Sequence, residues 1–444
     1  MELNFLHVHT PHMGYGRMGF YINQELRKQG VKVYDDLLGM DKIDRTEGNS
    51  KVFLEGWETG RSNVVCWAAA PSHAAGWWKG QMPCLLTMYE TQYLAEGFRA
   101  ALPNFETVIV PSEQNQELFG RYHPNVHYVP LGVDPETWQY RARPKVDRYF
   151  RYLIGGRGAR KGTDIAVKAF KVIHDEWEKD FPSGPEPRLL MKNPVAEDYW
   201  RGDGAIEMIS GRISQEEEVE LYASAHCYLG PSRGEGFGLQ PLQAIAQGCP
   251  TILTDAHGHK AFSHLGWPLT TTDSPSDYFI YGDSGMWWEP SLDDLIDHMR
   301  WIYHHYDDAS QQAERSSRVA LNTFTWERTT DLFLDAIGRE NMGPYEGPEE
   351  WIIPDQLRYP VIMLRNVAEM HIGGFVYAFE KGKTYYVLAD VKRVLYEAQD
   401  ILDPACLMLD RPDASGLLMS QIEEARLLTA GVPLCPTCGA PFLE

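Results

Sequence analysis

Residues 230–250 have the sequence Gly-Pro-Ser-Arg-Gly-Glu-Gly-Phe-Gly-Leu-Gln-Pro-Leu-Gln-Ala-Ile-Ala-Gln-Gly-Cys-Pro, a glycine-rich turn that runs directly into a predicted helix. Apolar runs on either side of this segment predict buried strands. The start of a helix presents backbone N–H groups without helical partners and a partial positive charge, and Gly236 and Gly238 let an anion approach closely. The segment therefore predicts a strand–turn–helix unit that binds a diphosphate.

The same alternation of short apolar strands and amphipathic helices continues on both sides of this segment. Strands are predicted at 149–154, 188–191, 205–209, 227–230 and 251–254, and helices at 164–175, 215–225, 239–247, 292–306 and 309–338. Such alternation is typical of a parallel sheet that is covered on both faces. Residues 149–340 are therefore predicted to form a Rossmann-like domain, and its last helix is expected to cross back to the preceding domain.

A similar pattern begins at the N-terminus. Strands are predicted at 3–8, 31–34, 64–69, 83–88, 107–110 and 127–129, and a helix at 20–29. The turn-rich residues 130–135 and the polar residues 136–148 separate the two patterns. Residues 1–135 are predicted to form a first Rossmann-like domain, so the fold class is α/β, with two doubly wound domains and a cleft between them.

The composition changes at residues 343–360, which are rich in proline, glycine and charge, and residues 355–444 are predicted to form a small β-rich accessory module. Two aromatic and β-branched runs around Lys381-Gly382-Lys383 predict a β-hairpin. Cys435 and Cys438 have the spacing of a zinc knuckle, but one such pair supplies only two of the four ligands that a structural zinc requires. The module is expected to recruit a protein acceptor or to mediate assembly.

Length and charge limit the function classes. The chain has 444 residues, which suits two α/β domains of roughly 150–180 residues with an appendage. Its net charge is −21 and it has no Lys/Arg-rich run, so nucleic-acid binding is not predicted. The N-terminus lacks a basic leader, and no apolar stretch reaches the roughly 18 residues of a membrane span, so a cytoplasmic location is expected. Apolar surroundings predict reduced thiols at Cys66, Cys84, Cys227 and Cys249.

Polar side chains in and after the 230–250 turn are candidates for binding a sugar nucleotide. Glu235 lies in the turn, where its carboxylate can accept hydrogen bonds from sugar hydroxyls. Gln243 lies further along the helix, within reach of a ribose. The neighbouring residues are expected to contact the sugar nucleotide as well: Gly236, Phe237, Gly238 and Leu239. A plain structural turn, with Glu235 exposed by chance, is the alternative.

A second glycine-rich turn, Gly155-Gly-Arg-Gly-Ala-Arg-Lys-Gly162, follows the strand at 149–154 and carries three cations. Because ligands gather at the carboxyl edge of a parallel sheet, Arg157, Arg160 and Lys161 are candidates for binding the same donor. The order Lys-Gly-Thr is not that of a Walker A loop, so ATP hydrolysis is not predicted. Solvated surface charges are the alternative.

The run Arg233-Gly-Glu-Gly-Phe-Gly-Leu239 resembles the first part of the Glu-x7-Glu signature of retaining, family 4-like glycosyltransferases of the GT-B fold, the superfamily that includes glycogen and sucrose synthases. The resemblance covers residues 1–340 and implies a nucleotide-sugar bound between the two domains. The sequence departs from the signature at its second glutamate, which in the family binds ribose hydroxyls and here is Gln243. An amide still donates and accepts hydrogen bonds. The lost charge, however, can weaken binding of the donor, change which nucleotide binds, or mark a loss of activity.

The same resemblance assigns roles to the cations of the second turn. In the family, an arginine and a lysine hold the leaving diphosphate and offset the charge that develops as the glycosidic bond breaks. Arg157 and Lys161 match this pair, with a spacing one residue shorter than in the family. Arg160 is the alternative arginine.

Two segments of the first domain also resemble parts of the family. Residues 9–19 match its first strand-to-helix loop, in which Gly14 and Gly16 are expected to let the loop close on donor and acceptor. Tyr89-Glu90-Thr91 follows the strand at 83–88, where the family sets a polar residue beside the donor sugar, so Glu90 is expected to face the reacting centre. A structural carboxylate at the start of a helix over 92–101 is the alternative for Glu90.

No metal is expected in the reaction. His7, His9 and His12 lie close together in the sequence, but they lack carboxylate partners. The chain also has no Asp-x-Asp triplet, the motif with which another class of glycosyltransferases holds a divalent cation on the diphosphate. The resemblance therefore implies a metal-independent enzyme without a cofactor, with a UDP- or GDP-sugar as donor.

The resemblance implies transfer of a sugar, with retention of the anomeric configuration, to an acceptor that is a protein or a glycan. A catalytically impaired GT-B protein, which binds a sugar nucleotide or acts as a scaffold, is the alternative. A nucleotide-sugar epimerase or a pyridoxal-dependent phosphorylase on the same fold is a further one, and no Schiff-base lysine motif supports the phosphorylase.

Overall fold

A computed structural model of the chain describes residues 2–8, 14–38, 62–66, 84–156, 158–192, 204–209, 211, 213–276, 285–338, 359–362, 367–372, 375–379 and 384–387. Two six-stranded parallel sheets organise these residues, and helices accompany both. None of the helices in these ranges is long and apolar enough to cross a membrane.

The first sheet has the strand order β2-β1-β3-β4-β5-β6, and all of its pairings are parallel. Its strands are β1 (Glu2–Val8), β2 (Lys32–Leu38), β3 (Ser62–Cys66), β4 (Cys84–Leu86), β5 (Thr107–Val110) and β6 (Val126–Tyr128). Its helices are α1 (Gly14–Lys28), α2 (Glu96–Ala101) and α3 (Glu113–Gly120). Leu3, Phe5 and Val64 are fully buried, as expected for strands that are covered on both faces.

Helix α1 begins six residues earlier than the prediction of 20–29. The glycines of residues 9–19 indicated a loop because glycine has a low helix propensity. Gly16, Met18 and Gly19 are buried in the first turns of α1, so tertiary packing outweighs that propensity. Gly14 and Gly16 therefore lie in a helix, not in a loop.

The second sheet has the strand order β12-β11-β10-β7-β8-β9 and is also parallel throughout. Its strands are β7 (Tyr149–Gly155), β8 (Glu186–Lys192), β9 (Ile206–Ile209), β10 (Cys227–Gly230), β11 (Thr251–Thr254) and β12 (Trp267–Leu269). Its helices are α4 (Thr163–Asp180), α5 (Gln215–Ser224), α6 (Leu239–Ala246) and α7 (Leu292–His304). The sequence did not predict β12 or the antiparallel pair β13 (Thr271–Pro275) and β14 (Met286–Pro290).

The single helix predicted at 309–338 is two helices. These are α8 (Tyr306–Thr323) and α9 (Trp326–Ala336). The chain leaves the helix between them because the carbonyl of Phe324 accepts a hydrogen bond from Val133 N at 2.9 Å. Thr325 then starts α9 as its N-cap, with its side chain accepting from Arg328 N. A contact with the segment that links the two domains thus interrupts the helix.

Helix α9 packs on the first domain. The ring of Trp326 stacks on Tyr21 of α1 with centroids 5.0 Å apart, and Phe333 meets Phe5 of β1 edge-on at 6.2 Å. One continuous apolar core includes these residues and side chains around α6. The two sheets are therefore held together by shared packing as well as by the covalent link.

Strand pairing in the accessory module differs from the prediction. Four strands are described: β15 (Tyr359–Ile362), β16 (Val367–Ile372), β17 (Phe375–Phe379) and β18 (Thr384–Val387). The predicted hairpin pairs β17 with β18 across Lys381-Gly382-Lys383, whereas β17 pairs with β16 and β18 with β15. Ile372 at the end of β16 pairs with Phe375 at the start of β17. Cys435 and Cys438 lie outside the described residues.

Three of the cysteines predicted to be reduced are buried: Cys84, Cys227 and Cys249. Cys227 and Cys249 are free thiols among the residues that the structure describes. Burial raises the pKa of the Cys227 and Cys249 thiols, which keeps them protonated and unreactive. They act as small apolar core side chains. Only the backbone of Cys66 is described.

The link between the domains gives a first testable prediction. A Cβ at Gly132 would overlap the backbone of Thr325 and Trp326, where α9 begins. We expect Gly132→Ala to lower the free energy of unfolding by about 1–3 kcal/mol because neither backbone segment can move away. Urea denaturation followed by tryptophan fluorescence measures this.

Gly120→Ala is the matched control, since Gly120 ends α3 and has no atom within 4 Å of the added Cβ. Its unfolding midpoint should be unchanged or slightly higher. Equal midpoints for the Gly132 and Gly120 variants would show that the link is not tightly packed.

Candidate active site

The candidate side chains meet where the carboxyl ends of strands from both sheets come together. Glu90 follows β4 of the first sheet, Lys161 follows β7 of the second, and Glu235 follows β10. An ion pair of 3.0 Å between Arg160 Nη1 and Glu90 Oε1 joins the two domains here. In α/β sheets this edge is where ligands bind.

Glu235 lies at the centre of these contacts and is 7% exposed. Its Oε1 accepts hydrogen bonds from Lys161 Nζ at 2.5 Å and from Ser232 Oγ at 2.9 Å. Arg160 Nη1 lies 3.4 Å from Oε2. Burial alone raises the pKa of a carboxyl, but the charges of Lys161 and Arg160 hold the pKa of Glu235 well below its usual range. Glu235 is therefore ionised at neutral pH, not exposed by chance.

The structure places Arg160 in the site. Besides Glu90 and Glu235, its guanidinium binds the carbonyl of Gly234 at 2.7 Å. Arg157, the first choice from the sequence, lies outside the described residues. Arg160 and Lys161 are therefore paired within the site and are not merely solvated surface charges.

Glycines in the 230–250 turn have structural roles that the sequence did not predict. A Cβ at Gly234 would overlap the carbonyl of Glu90, and a Cβ at Gly236 would overlap the side chain of Met88. Glycine is required at both positions because the first domain packs directly on the turn. Gly238 has φ +105° and is the N-cap of α6. Of these glycines, Gly238 is the one at the start of the helix.

The side chains of Phe237 and Leu239 belong to the core. Phe237 is 1% exposed, and its ring packs against that of Phe262 with centroids 5.4 Å apart. Leu239 is also buried. Both were expected to contact the donor, and in the structure their side chains are part of the apolar core.

Gln243 lies in a buried polar cluster. Its Oε1 accepts a hydrogen bond of 3.0 Å from Nη1 of Arg17, which comes from α1 of the first domain. Nη2 of Arg17 pairs with Glu218 of α5, and Lys192 at the end of β8 pairs with the other oxygen of Glu218. Burial raises the pKa of the Glu218 carboxyl, but Arg17 and Lys192 outweigh it and lower that pKa overall. The cluster is therefore ionic and joins both domains.

Sequence reasoning missed Arg17, Glu218 and Lys192. Arg17 fell in a predicted loop, and Glu218 is the last of three consecutive glutamates at the start of α5, a pattern typical of a solvated helix end. Glu218 lies one turn before the buried Tyr222, and this spacing is the one sequence hint that it faces inward. The two contacts of Arg17 join residues that are 201 and 226 positions apart in the sequence.

The side chain of Arg233 links the 230–250 turn to α4 and β14. Its guanidinium forms a two-point contact with Asp164 of α4, at 2.8 and 2.9 Å, and also pairs with Glu289 of β14. This geometry is the bidentate one in which arginine binds carboxylates most strongly. Arg233 therefore fixes the turn that carries Glu235 onto α4.

The backbone at Glu90 is held by Asn115 of α3. Its side chain accepts a hydrogen bond from Tyr89 N at 2.6 Å and donates one to Tyr89 O at 2.9 Å. Helix α2 begins at Glu96, so Glu90 is not a carboxylate at the start of that helix. The alternative proposed for Glu90 from the sequence is therefore wrong.

One group in the described part of the chain has the spacing of metal ligands. His174, Asp175 and Glu178 lie on the partly exposed side of α4, with ligand atoms within 4.8 Å of one another. His174 is roughly 16 Å along the helix axis from Thr163, where α4 meets the site. This group is therefore separate from the candidate active site. The side chains of His7, His9 and His12 lie outside what the structure describes.

The architecture has solved counterparts. Sucrose-phosphate synthase from Thermosynechococcus elongatus superposes with a TM-score of 0.55 at 16% identity, over 76% of this chain and 98% of that one. At this identity the likeness shows the fold, two Rossmann-like domains in the GT-B arrangement. The class of fold is therefore GT-B.

The family follows from the sequence match. Residues 112–333, half of the chain, match the model described as "Family 4 Glycosyltransferase in conflict systems". The chain belongs to this family. The matched residues include the turns that carry Lys161 and Glu235, as well as the link between the domains.

Two curated relatives match shorter parts of the chain than the family model does. A putative glycosyltransferase of Sulfolobus islandicus filamentous virus is 33% identical over 115 residues, 24% of this chain and 34% of that protein. The UDP-N-acetylglucosamine–peptide N-acetylglucosaminyltransferase GtfA subunit of Streptococcus pneumoniae is 30% identical over 180 residues, 38% of this chain and 33% of that protein. The aligned part of this chain spans about a third of the length of each relative.

The buried polar cluster gives a second prediction. Arg17→Met should lower the free energy of unfolding by about 3 kcal/mol. This value is at the lower end of the range for loss of one partner of a buried ion pair, because Lys192 still neutralises Glu218. Urea denaturation measures the change. Lys28→Met is the control, since Lys28 pairs with Glu25 at the surface of the same helix and should cost less than about 1 kcal/mol. Equal losses in the two variants would contradict the account of the cluster.

Proposed function

We propose that the protein transfers a sugar from a UDP- or GDP-sugar to an acceptor with retention of the anomeric configuration, without a metal ion or cofactor. The observation that carries the proposal is the arrangement of Lys161 and Arg160 around the buried carboxylate of Glu235, beside the start of α6. Cations and free backbone N–H groups at one place suit a diphosphate, and a carboxylate beside them suits sugar hydroxyls.

In this proposal, Lys161 and Arg160 stabilise the diphosphate as it leaves. The bond between the anomeric carbon and the diphosphate oxygen breaks, and a bond to the acceptor oxygen forms on the same face of the sugar. The proton of the acceptor hydroxyl passes to the departing diphosphate oxygen. Charge builds up on that oxygen, so preorganised cations lower the barrier. The pairing of both cations with Glu235 keeps them in place before the donor binds.

Glu235 orients the sugar in this proposal. Its carboxylate is held by Ser232 and Lys161, and the ionised form accepts hydrogen bonds but donates none. Glu90 reaches the same site from the first domain through Arg160 and couples the closure of the two domains to the donor. Gly14 and Gly16 lie in the first turn of α1, and the same helix supplies Arg17 to Gln243.

The nucleoside is assigned to the end of the site near Gln243, and the acceptor to a protein or a glycan. The printed name of the GtfA relative includes both a UDP-sugar and a peptide, which is why a UDP-sugar and a protein acceptor come first among the combinations to test. The accessory strands β15–β18 are the part of the chain we assign to acceptor recruitment. A cytoplasmic location completes the proposal.

A second candidate function is a protein that binds the sugar nucleotide without turning it over. The contact of Arg17 with Gln243 favours it, because this contact uses the amide oxygen that would otherwise accept a hydrogen bond from a ribose hydroxyl. Such a protein would bind a sugar nucleotide and release no nucleotide.

Replacement of Glu235 tests the proposed role of its carboxylate. Glu235→Ala should reduce transfer by roughly 10²-fold or more, since the sugar is no longer oriented, while the variant stays folded. The assay is donor-dependent release of nucleoside diphosphate, together with a thermal melt. Glu220→Gln is the control, because Glu220 is an exposed carboxylate of α5 paired with Arg141. Unchanged turnover in the Glu235 variant would remove this residue from the mechanism.

Replacement of Lys161 tests the stabilisation of the leaving group. Lys161→Ala should lower kcat by roughly 10²–10³-fold, the usual effect of one preorganised electrostatic group. Lys168→Ala provides the comparison, because Lys168 is exposed on α4 and the same charge is lost there. Steady-state kinetics with the preferred donor give both values. If the Lys161 variant keeps full activity, the diphosphate is held by other groups.

A further inference from the structure

A short helical turn packs on the residues that begin α6. It covers His257–Ala261, after β11. Gly258 N donates a hydrogen bond of 2.9 Å to the carbonyl of Glu235, and a Cβ at Gly258 would overlap the backbone of Phe237. The turn is therefore fixed against the candidate active site by backbone contacts.

His259 in this turn is buried without hydrogen-bond partners. It is 1% exposed, and neither ring nitrogen makes a hydrogen bond to any residue that the structure describes. The backbone carbonyl of Thr254 raises the pKa of the ring, as a weak acceptor would, but its position does not meet the geometry of a hydrogen bond. The neighbouring His257 is equally buried, yet its Nε2 lies 3.0 Å from the carbonyl of Ser232. His259 thus differs from its neighbour in having unsatisfied polar atoms.

The imidazole of His259 lies against the start of α6. Its Nε2 is 2.6 Å from the position that a Cβ of Gly238 would occupy, and Gly238 is the N-cap of the helix. Lys161 and Glu235 are close enough to act on the charge of the ring. A polar group without a partner thus lies beside the free N–H groups of α6 and beside the Lys161–Glu235 pair.

An anion is the ligand that this arrangement suits. Burial is the main cause that holds the pKa of His259 well below its usual range, and the neighbouring His257 is the second. The ring is therefore neutral and offers one N–H donor. Helix N–H groups and Lys161 also favour negative charge and disfavour a cation. A buried polar atom without a partner costs free energy of folding, and a ligand that supplies the partner recovers it.

We propose that His259 is a further binding residue of the donor site, which donates a hydrogen bond from Nε2 to a phosphate oxygen of the nucleoside diphosphate at the start of α6. This inference rests on the proposed function, since it takes the donor to be a nucleoside-diphosphate sugar. His259 lies outside both glycine-rich turns, so the proposal adds a side-chain contact to the phosphates from a third segment of the chain.

The test compares binding of a nucleoside diphosphate with binding of its nucleoside. Calorimetric titration of the full chain with UDP, GDP and ADP first identifies the nucleotide that binds best. His259→Phe removes both nitrogens and keeps a flat ring. We expect it to weaken binding of this nucleotide roughly ten- to hundredfold, the effect of losing one hydrogen bond to a charged group, and to leave binding of the nucleoside unchanged.

Two variants serve as controls. His259→Gln keeps an N–H donor and should bind the nucleotide more tightly than His259→Phe. His257→Phe removes the ring that has a partner, and any loss of affinity should affect nucleotide and nucleoside equally. The inference is overturned if His259→Phe binds the nucleotide as tightly as the wild type does. It is also overturned if the variant loses affinity for the nucleotide and for the nucleoside by the same factor. If the wild type binds none of the three nucleotides, the proposed function itself fails.

A measurement on the wild type keeps the test valid if the phenylalanine variant does not fold. With ¹⁵N-labelled histidine, the ring signals of one residue, assigned by their absence in His259→Gln, should shift on addition of the nucleotide and not of the nucleoside. Ring signals of His259 that stay unchanged in the presence of saturating nucleotide would also overturn the inference.

Discussion

The buried charge of Glu235 is the constraint on which the site depends. A carboxylate that is 7% exposed needs cationic partners, and Lys161 and Arg160 supply them from the other glycine-rich turn. The two turns must therefore lie side by side, and Arg233 fixes one of them to α4. Arg160 extends the contacts to Glu90 of the first domain. The same set of charges thus organises the turns and brings the first domain to them.

A second group of charges, together with the returning helix α9, holds the two domains in this arrangement. Arg17 reaches from α1 to Glu218 and Gln243 of the second domain. The rings of Trp326 and Phe333 pack on the first domain from α9, the last helix of the second domain. Polar contacts therefore join the domains at the nucleoside end of the proposed site, and apolar contacts join them behind it.

The sequence predicted the local parts of this structure and missed the long-range ones. Most strands and helices of both domains followed from periodicity, whereas β12, β13 and β14 did not. The glycine-rich turns located Glu235 and Lys161 because each turn is set by a few neighbouring residues. Gly236 was assigned to anion binding, whereas contact with Met88 explains it. The break between α8 and α9 depends on Val133, almost 200 residues away, and no local pattern contains that information.

The most direct test of the central claim, an active donor site around Glu235, is release of nucleotide by the wild-type protein. A panel of UDP-, GDP- and ADP-sugars is offered without acceptor and with host lysate as a source of acceptor, in the presence of a chelator. The account predicts release from one nucleotide class, increased by the lysate and unaffected by the chelator. Binding without release under every condition would contradict it and favour a protein that holds a sugar nucleotide without transferring the sugar.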